Sequence, residues 1–281
     1  MRNRTPDGKP MHDRAAGLIK PNDRPSFLER MQRLNCHYRT RILDRFDGDY
    51  RGLRVVLGAR NFITLTTAYL ARYPSDAHAL RNLGDRLERL LREELRCTTP
   101  RERVALDMVR FESAQVCALE APAKPIITPD AILDSPVSKL RLGLQPYLSL
   151  LRLDYAVDDF LIRLKKREAA ARRGDTSNGI DPMPRAGGVN TRILMAKRQE
   201  VFVAVYRDHM MPCYKRLDRK EFLILSALAL GETVESACHQ VVEASHRRHV
   251  DWPAQIKEWL RRWSALGWFC RPSQFSGQLL F

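Results

Sequence analysis

Residues 201–238 read VFVAVYRDHMMPCYKRLDRKEFLILSALALGETVESAC, and the fold turns on how this stretch divides. Val201–Tyr206 and Pro212–Arg216 are short runs of strand character. From Asp218 onward, apolar residues recur at spacings of three and four. The pattern predicts a hairpin that passes directly into a helix. Such a module can sit on DNA as a winged helix, offer a sheet edge to a peptide, or act only as a small packing unit.

Working outward, Ile193–Lys197 adds a candidate strand ahead of Val201–Tyr206 and Pro212–Leu217. Three helices are expected after them: Asp218–Leu230, ended by Gly231; Val234 to about Ser245, capped by Thr233; and one from Asp251 to just before Gly267. In the last, Trp252, Ile256, Trp259, Leu260, Trp263 and Leu266 form one apolar stripe.

Upstream the texture is helical. Residues 1–24 are polar and aperiodic and read as a flexible tail. Residues 25–122 read as a helical bundle: a first helix through Phe27, Met31, Leu34 and Tyr38, two shorter helices broken near Gly58, a leucine-faced helix, and a long helix opened by Thr99, Pro100 and Glu102 as a capping box. Residues 123–173 form a connector. In it Leu140–Leu153 alternates around Pro146, as a pair of short strands or one bulged strand near a sheet edge, before a charged helix. Residues 174–191 are rich in glycine and turn formers and mark the expected domain boundary, with the C-terminal module at 192–271 and a tail at 272–281. The expected class is α+β, mostly α: an N-terminal helical bundle followed by a small winged-helix-like domain of three strands and three helices.

The net charge of +15 raises nucleic acid as a partner. Yet the excess is spread along the chain, and only Arg163–Arg173 is dense, which fits a generally basic solvated surface. No stretch is long and apolar enough to span a bilayer, and the first twenty residues lack a secretion signal's apolar core. A cytoplasmic protein without membrane contact is expected. The six cysteines show no CxxC spacing and read as reduced, mostly buried thiols.

The inventory for catalysis is thin. Phosphate-binding glycine loops, nucleophile elbows and HExxH are all missing from the sequence. Cys36-His37, His209 with Cys213, Cys238-His239, and His246 with His249 never reach the ligand count of a zinc site. Glu112 reads as an ion-pair partner of an arginine on a neighbouring helix, and Asp158-Asp159 as first-turn acids of a helix. The four tryptophans, all within residues 252–268, fit a core better than a cofactor box.

Two parts of the sequence resemble known families. RLNCHYRTRILDRFDGDYRGLRVVLGARNFITLTTAYLARYPSDAHALRNLGDRLERLLRE, together with RVALDMVRFESAQVCALEA, is similar to the HvfC/BufC-type family, whose N-terminal module is often labelled a DNA-binding domain. Tyr38-Arg39, Val55–Gly58, Phe62, Ala68–Leu70, Tyr73-Pro74 and Glu112 carry the match. Cys36-His37, Thr40-Arg41 and Ser113 depart from it. Residues 192–271 resemble a PqqD-type peptide-recognition domain through Leu217, Leu225, Gly231, Thr233, Val234 and the closing WLRRWSALGWF.

The resemblance implies a non-catalytic partner of a multinuclear non-haem iron oxidase that modifies cysteine-containing ribosomal peptides, as in methanobactin-like pathways. The chain would bind the precursor's leader and hold no cofactor itself, the iron lying in the partner enzyme. Cys213, Tyr214, Lys215 and Arg216 would be the strand edge that takes the leader, with Trp259 and Trp263 as the groove wall and the two cations favouring an acidic leader. Tyr38, Arg39 and Glu112 would dock the oxidase. The competing expectation is a winged-helix regulator with Arg219, Lys220, Arg247 and Arg248 on DNA phosphates, although TVESACHQVVEAS carries no Arg or Lys for a recognition helix. A third is a purely structural adaptor.

Overall fold

The computed structural model describes residues 40–41, 43–73, 83–95, 99–133, 136, 138–174, 196–243, 251–272 and 279–280. The chain divides into two compact units, residues 1–48 and 49–281. Of the first, residues 43–48 are helical. The expected tail at 1–24, most of the first helix and the glycine-rich stretch at 175–191 lie outside the described residues.

The second unit is α+β and mostly helical. Its elements in chain order are α1 (Arg51–Leu57), α2 (Ala59–Arg72), α3 (Leu83–Leu95), α4 (Pro100–Glu120), α5 (Pro129–Leu133), β1 (Gly143–Leu144), β2 (Ser149–Tyr155), α6 (Val157–Gly174), β3 (Arg198–Asp208), β4 (Met211–Leu217), α7 (Arg219–Ala229), α8 (Val234–Glu243), α9 (Trp252–Ala265), β5 (Phe269–Cys270) and β6 (Leu279–Leu280).

Local chemistry sets the helix ends. Gly58, at φ +83°, stops α1 and turns the chain into α2, a conformation that costs other residues dearly. At the start of α4 the Thr99 hydroxyl accepts from Glu102 N, and the Glu102 side chain accepts from Thr99 N at 2.9 Å. Asp218 and Glu221 repeat this reciprocal cap at α7. Helix α4 buries residues around most of its girth, from Val104 and Ala105 to Phe111 and Ala118, as expected of a helix enclosed by other elements. It packs against α1, α3, α6 and three strands.

Strands β4, β3 and β2 form an antiparallel sheet, and β6 adds to β2 in parallel, giving the order β4-β3-β2-β6. Helices cover both faces. Val201, Val203 and Val205 turn toward α4. Leu150, Ala204 and Leu217 join the core of α7, α8 and α9, where Trp263, Trp268 and Phe269 are fully buried.

This arrangement corrects two expectations. Strand β3 takes its second partner from β2, upstream of the glycine-rich stretch, with Ser149 opposite Val205 and Leu153 opposite Val201. The expected strand Ile193–Lys197 does not form over its described part: Ala196 and Lys197 lie outside any strand, and Lys197 O instead accepts from Ala156 N at 3.0 Å. The sheet therefore runs across the expected boundary at 174–191, and residues 49–281 are one compact unit. The physical reason is burial: β2 has apolar residues pointing to both faces, Leu150 one way and Leu151 and Leu153 the other, which suits an inner strand. Leu140–Leu153 does contain two short strands, β1 and β2, with Pro146 in the turn between them.

Candidate peptide-binding edge

The β3–β4 hairpin has a two-residue loop, His209-Met210, between the paired residues Asp208 and Met211. Both loop residues have positive φ, 43° and 64°, the geometry that matches the twist of the flanking strands. Residues flanking such a loop bond to each other, so by the period of two Met211, Cys213, Lys215 and Leu217 turn their backbone groups to β3. Pro212, Tyr214 and Arg216 turn theirs outward. Among the described residues no backbone bond is recorded on that side. Pro212 has no N–H, so the edge offers the N–H and C=O of Tyr214 and Arg216 and the carbonyl of Pro212.

The side chains alternate across this strand. The Tyr214 ring meets Phe111 of α4 edge-on, 5.1 Å between centroids. Arg216, on the same face, is engaged with the first turn of α6: Nε and Nη2 meet the two oxygens of Asp158 at 2.6 and 2.8 Å, and Nη2 lies 2.7 Å from Asp159 Oδ2. On the other face Cys213 is half-buried opposite Tyr206, whose ring stands 5.2 Å from Trp268. Lys215 has its pKa lowered by partial burial and by the nearby Arg262. Arg262 itself pairs with Glu221 of the α7 cap.

Several expected site residues are placed elsewhere. Trp259 is 5% exposed and Trp263 0%, stacked at 6.1 Å inside the core, so neither can wall a groove at β4. An amphipathic stripe of this strength is as readily a core face as a binding face, and here the hairpin and β5 cover it. Arg216 is spent on two aspartates, which removes most of its pull on an acidic ligand. Tyr38 and Arg39 lie outside the described residues.

Among the described residues Glu112 pairs with no arginine, and it is buried rather than offered to a partner surface: it accepts from Gly52 N at 2.6 Å and Leu53 N at 3.0 Å, closing the N-terminus of α1. Gly52 makes this approach possible, because a Cβ there would stand 2.5 Å from Met108 Sδ and 2.6 Å from Leu161 Cδ2. Five residues back on the same helix, Asp107 accepts from Asp154 N at 2.8 Å and Tyr155 N at 3.0 Å, where β2 bulges. Sequence reading missed Asp107. Its signal was an acid inside the apolar run VALDMV.

Burial pushes both carboxyls up, Glu112 to about 8 and Asp107 to about 6, against the N–H donors that favour their charged forms. A carboxyl raised in the folded state contributes stability that is full below its unfolded value, near 4.5 for Glu112, and is lost as pH rises through about 8. The melting temperature is therefore expected to fall by roughly 5 °C between about pH 5 and about pH 9 through Glu112. Scanning calorimetry of the wild type beside Glu112→Gln checks this: the variant should lose that part of the slope, and equal slopes would remove Glu112 as the cause.

Among the described residues no group of three or more His, Cys, Asp or Glu could hold a metal ion, and His246 and His249 lie outside them. No described helix is long and apolar enough to cross a membrane. Compared with known proteins, the chain matches no family model and no curated sequence.

Proposed function

We propose that the chain is a non-catalytic partner protein that captures an extended segment of a precursor peptide on the outer edge of β4 and presents the remainder to a separate iron-dependent oxidase. The observation that carries the reading is the outward set of backbone groups at Pro212, Tyr214 and Arg216, on a sheet whose two faces are already covered by helices. A strand added there gains main-chain hydrogen bonds, and side chains at alternate positions fix its register. Lys215 is the cation left to favour acidic residues, since Arg216 is committed to Asp158 and Asp159. The resemblance to HvfC/BufC-type and PqqD-type proteins supplies the oxidase and the precursor.

The regulator reading fits less well. Helix α8, which would enter the major groove, exposes Glu235, His239 and Glu243 and has no Arg or Lys. Lys220, at the start of α7, lies over the Trp252 ring at 4.1 Å.

The test compares Tyr214→Pro with Tyr214→Ala. Both lose the ring contact with Phe111, but only proline removes the outward donor, and neither touches a bond to β3. Peptides selected for binding from a displayed library are then titrated into both variants and the wild type. Tyr214→Pro is expected to weaken them about tenfold beyond Tyr214→Ala, the worth of one well-made hydrogen bond. Equal losses, or selective binding of duplex DNA with no peptide response, would sink the reading.

A further inference from the structure

The opposite edge of the sheet already holds a strand. Leu279 and Leu280 pair in parallel with Leu150 and Leu151 of β2. This is the chain's own segment added to an edge, and it shows what that edge accepts: a short extended piece of polypeptide with aliphatic residues, running in the same direction as β2.

The edge has defined ends. By the pairing with β3, in which Ser149, Leu151 and Leu153 turn inward, Leu150, Arg152 and Asp154 turn their backbone groups outward. The outward N–H of Asp154 is taken by the Asp107 carboxylate at 2.8 Å, which stops any added strand at that point. At the other end Leu148 N is tied to Gln145 O at 2.9 Å in the turn before β2. Between these stops lie the groups of Leu150 and Arg152, enough for an added segment of about three to five residues at ordinary strand spacing.

Among the described residues, the resident strand is held by two paired positions. It is two residues long and parallel, and parallel pairing is the less stable kind per residue. Segments with so few bonds sit at the low end of local stability and open far more often than the sheet as a whole. Helices and hairpin hold β2 whether or not β6 is seated, because Leu150 and Leu151 are buried against α7 and α4 from the two faces.

We propose that the outer edge of β2 is a second strand-accepting site, occupied at rest by Leu279–Leu280, and that it takes an extended aliphatic segment of another polypeptide, parallel to β2, by displacing them. The site is separate from the β4 edge and does not depend on it. Covalent attachment gives the resident strand a high effective concentration, so an outside peptide competes at a disadvantage until the resident is removed.

The experiment uses a dye-labelled peptide of sequence SGQLLF, that of residues 276–281, titrated into three proteins: the full chain, the chain ending at Pro272, and the full-length double variant Leu279→Pro with Leu280→Pro. Prolines at both positions remove the donors the ladder needs while keeping the length of the chain. Melting temperature and far-ultraviolet circular dichroism establish that each variant is folded, and the proline pair covers the case in which the shortened chain is not. Weak binding to the full chain and about tenfold tighter binding to the variants is expected. Hydrogen exchange should then show new protection at the amides of Leu150 and Arg152. Equal affinity for all three proteins overturns the proposal, as does failure of a folded variant to bind. Protection confined to Tyr214 and Arg216 overturns it too, while leaving peptide capture at β4 standing. A shift of the shortened chain to a dimer on addition of its own tail, with no exchange change at Leu150, counts against it as well.

Discussion

Trp263→Ala is expected to cost about 3–5 kcal/mol of folding stability, the range for deleting a large buried aromatic side chain. Trp263 has no exposed surface. It stacks on Trp259 at 6.1 Å and meets the edge of Phe269 at 6.3 Å, and its carbonyl receives the N–H of Trp268 at 3.1 Å. Removing the indole opens a void at the junction of α9, β5 and the hairpin, where β5 is only two residues long and cannot follow the collapse. The indole N–H has no hydrogen-bond partner among the described residues, so no compensating polar contact is lost. Trp263→Phe should therefore recover a large part of the loss, since it restores aromatic volume without the donor. Urea denaturation followed by far-ultraviolet circular dichroism measures both. A loss under about 1 kcal/mol for Trp263→Ala would mean that the tryptophans are not the core of this half, and would return them to a binding surface.

The second large effect is expected from Arg216→Ala. Asp158 is 2% exposed and accepts both arms of the Arg216 fork, while Asp159 holds the same guanidinium from the solvent side. Without the arginine, a buried carboxylate is left beside a second one and the C-terminal end of β4 loses its tie to α6. Breaking a fully buried pair costs about 3–5 kcal/mol. The Arg216 side chain is 40% exposed, which lets water replace part of the contact, so about 2–3 kcal/mol is the expected loss. Asp158→Asn in the same chain should return some of it, and the double-mutant cycle gives the coupling directly. No coupling between the two positions would show that the fork is ornamental. The result also bears on ligand assays: an Arg216 variant that binds peptide poorly does so through a loosened strand, and only the Tyr214 pair of variants isolates the edge.

How much of this was legible depended on how far apart the interacting residues are. The capping box at Thr99 and Glu102, the break at Gly58, the hairpin and the three C-terminal helices are decided within a few residues of chain, and the sequence carries all of them. Strand pairing is decided at long range. Ile193–Lys197 and Ser149–Tyr155 are both plausible neighbours for β3, and alternation alone does not choose between them. The partners of acids were hidden for the same reason: Asp158 is 58 residues from Arg216, and Glu112 is 60 from Gly52. For the tryptophans the helical period was read correctly, but it says that one face is apolar and nothing about what covers that face. The β4 edge was visible as a strand; that Arg216 on it is already neutralised was not.

The pairing of β2 with β3 has a consequence for how the chain is made. Synthesis delivers α4 and β2 well before β3 and β4, and more than forty residues separate Tyr155 from Arg198, its partner. Until Leu217 has emerged, both edges of β2 have no sheet to join, and β2 is held by its packing on α4 and by the Asp107 carboxylate. The hairpin, closed by a two-residue loop, forms quickly once it is free, whereas bringing β2 onto it requires closing a long loop against chain entropy. A nascent chain stalled between residues 174 and 198 is thus an apolar helix and an unpaired strand waiting for a partner, the state in which a ribosome-bound chaperone would have most to do.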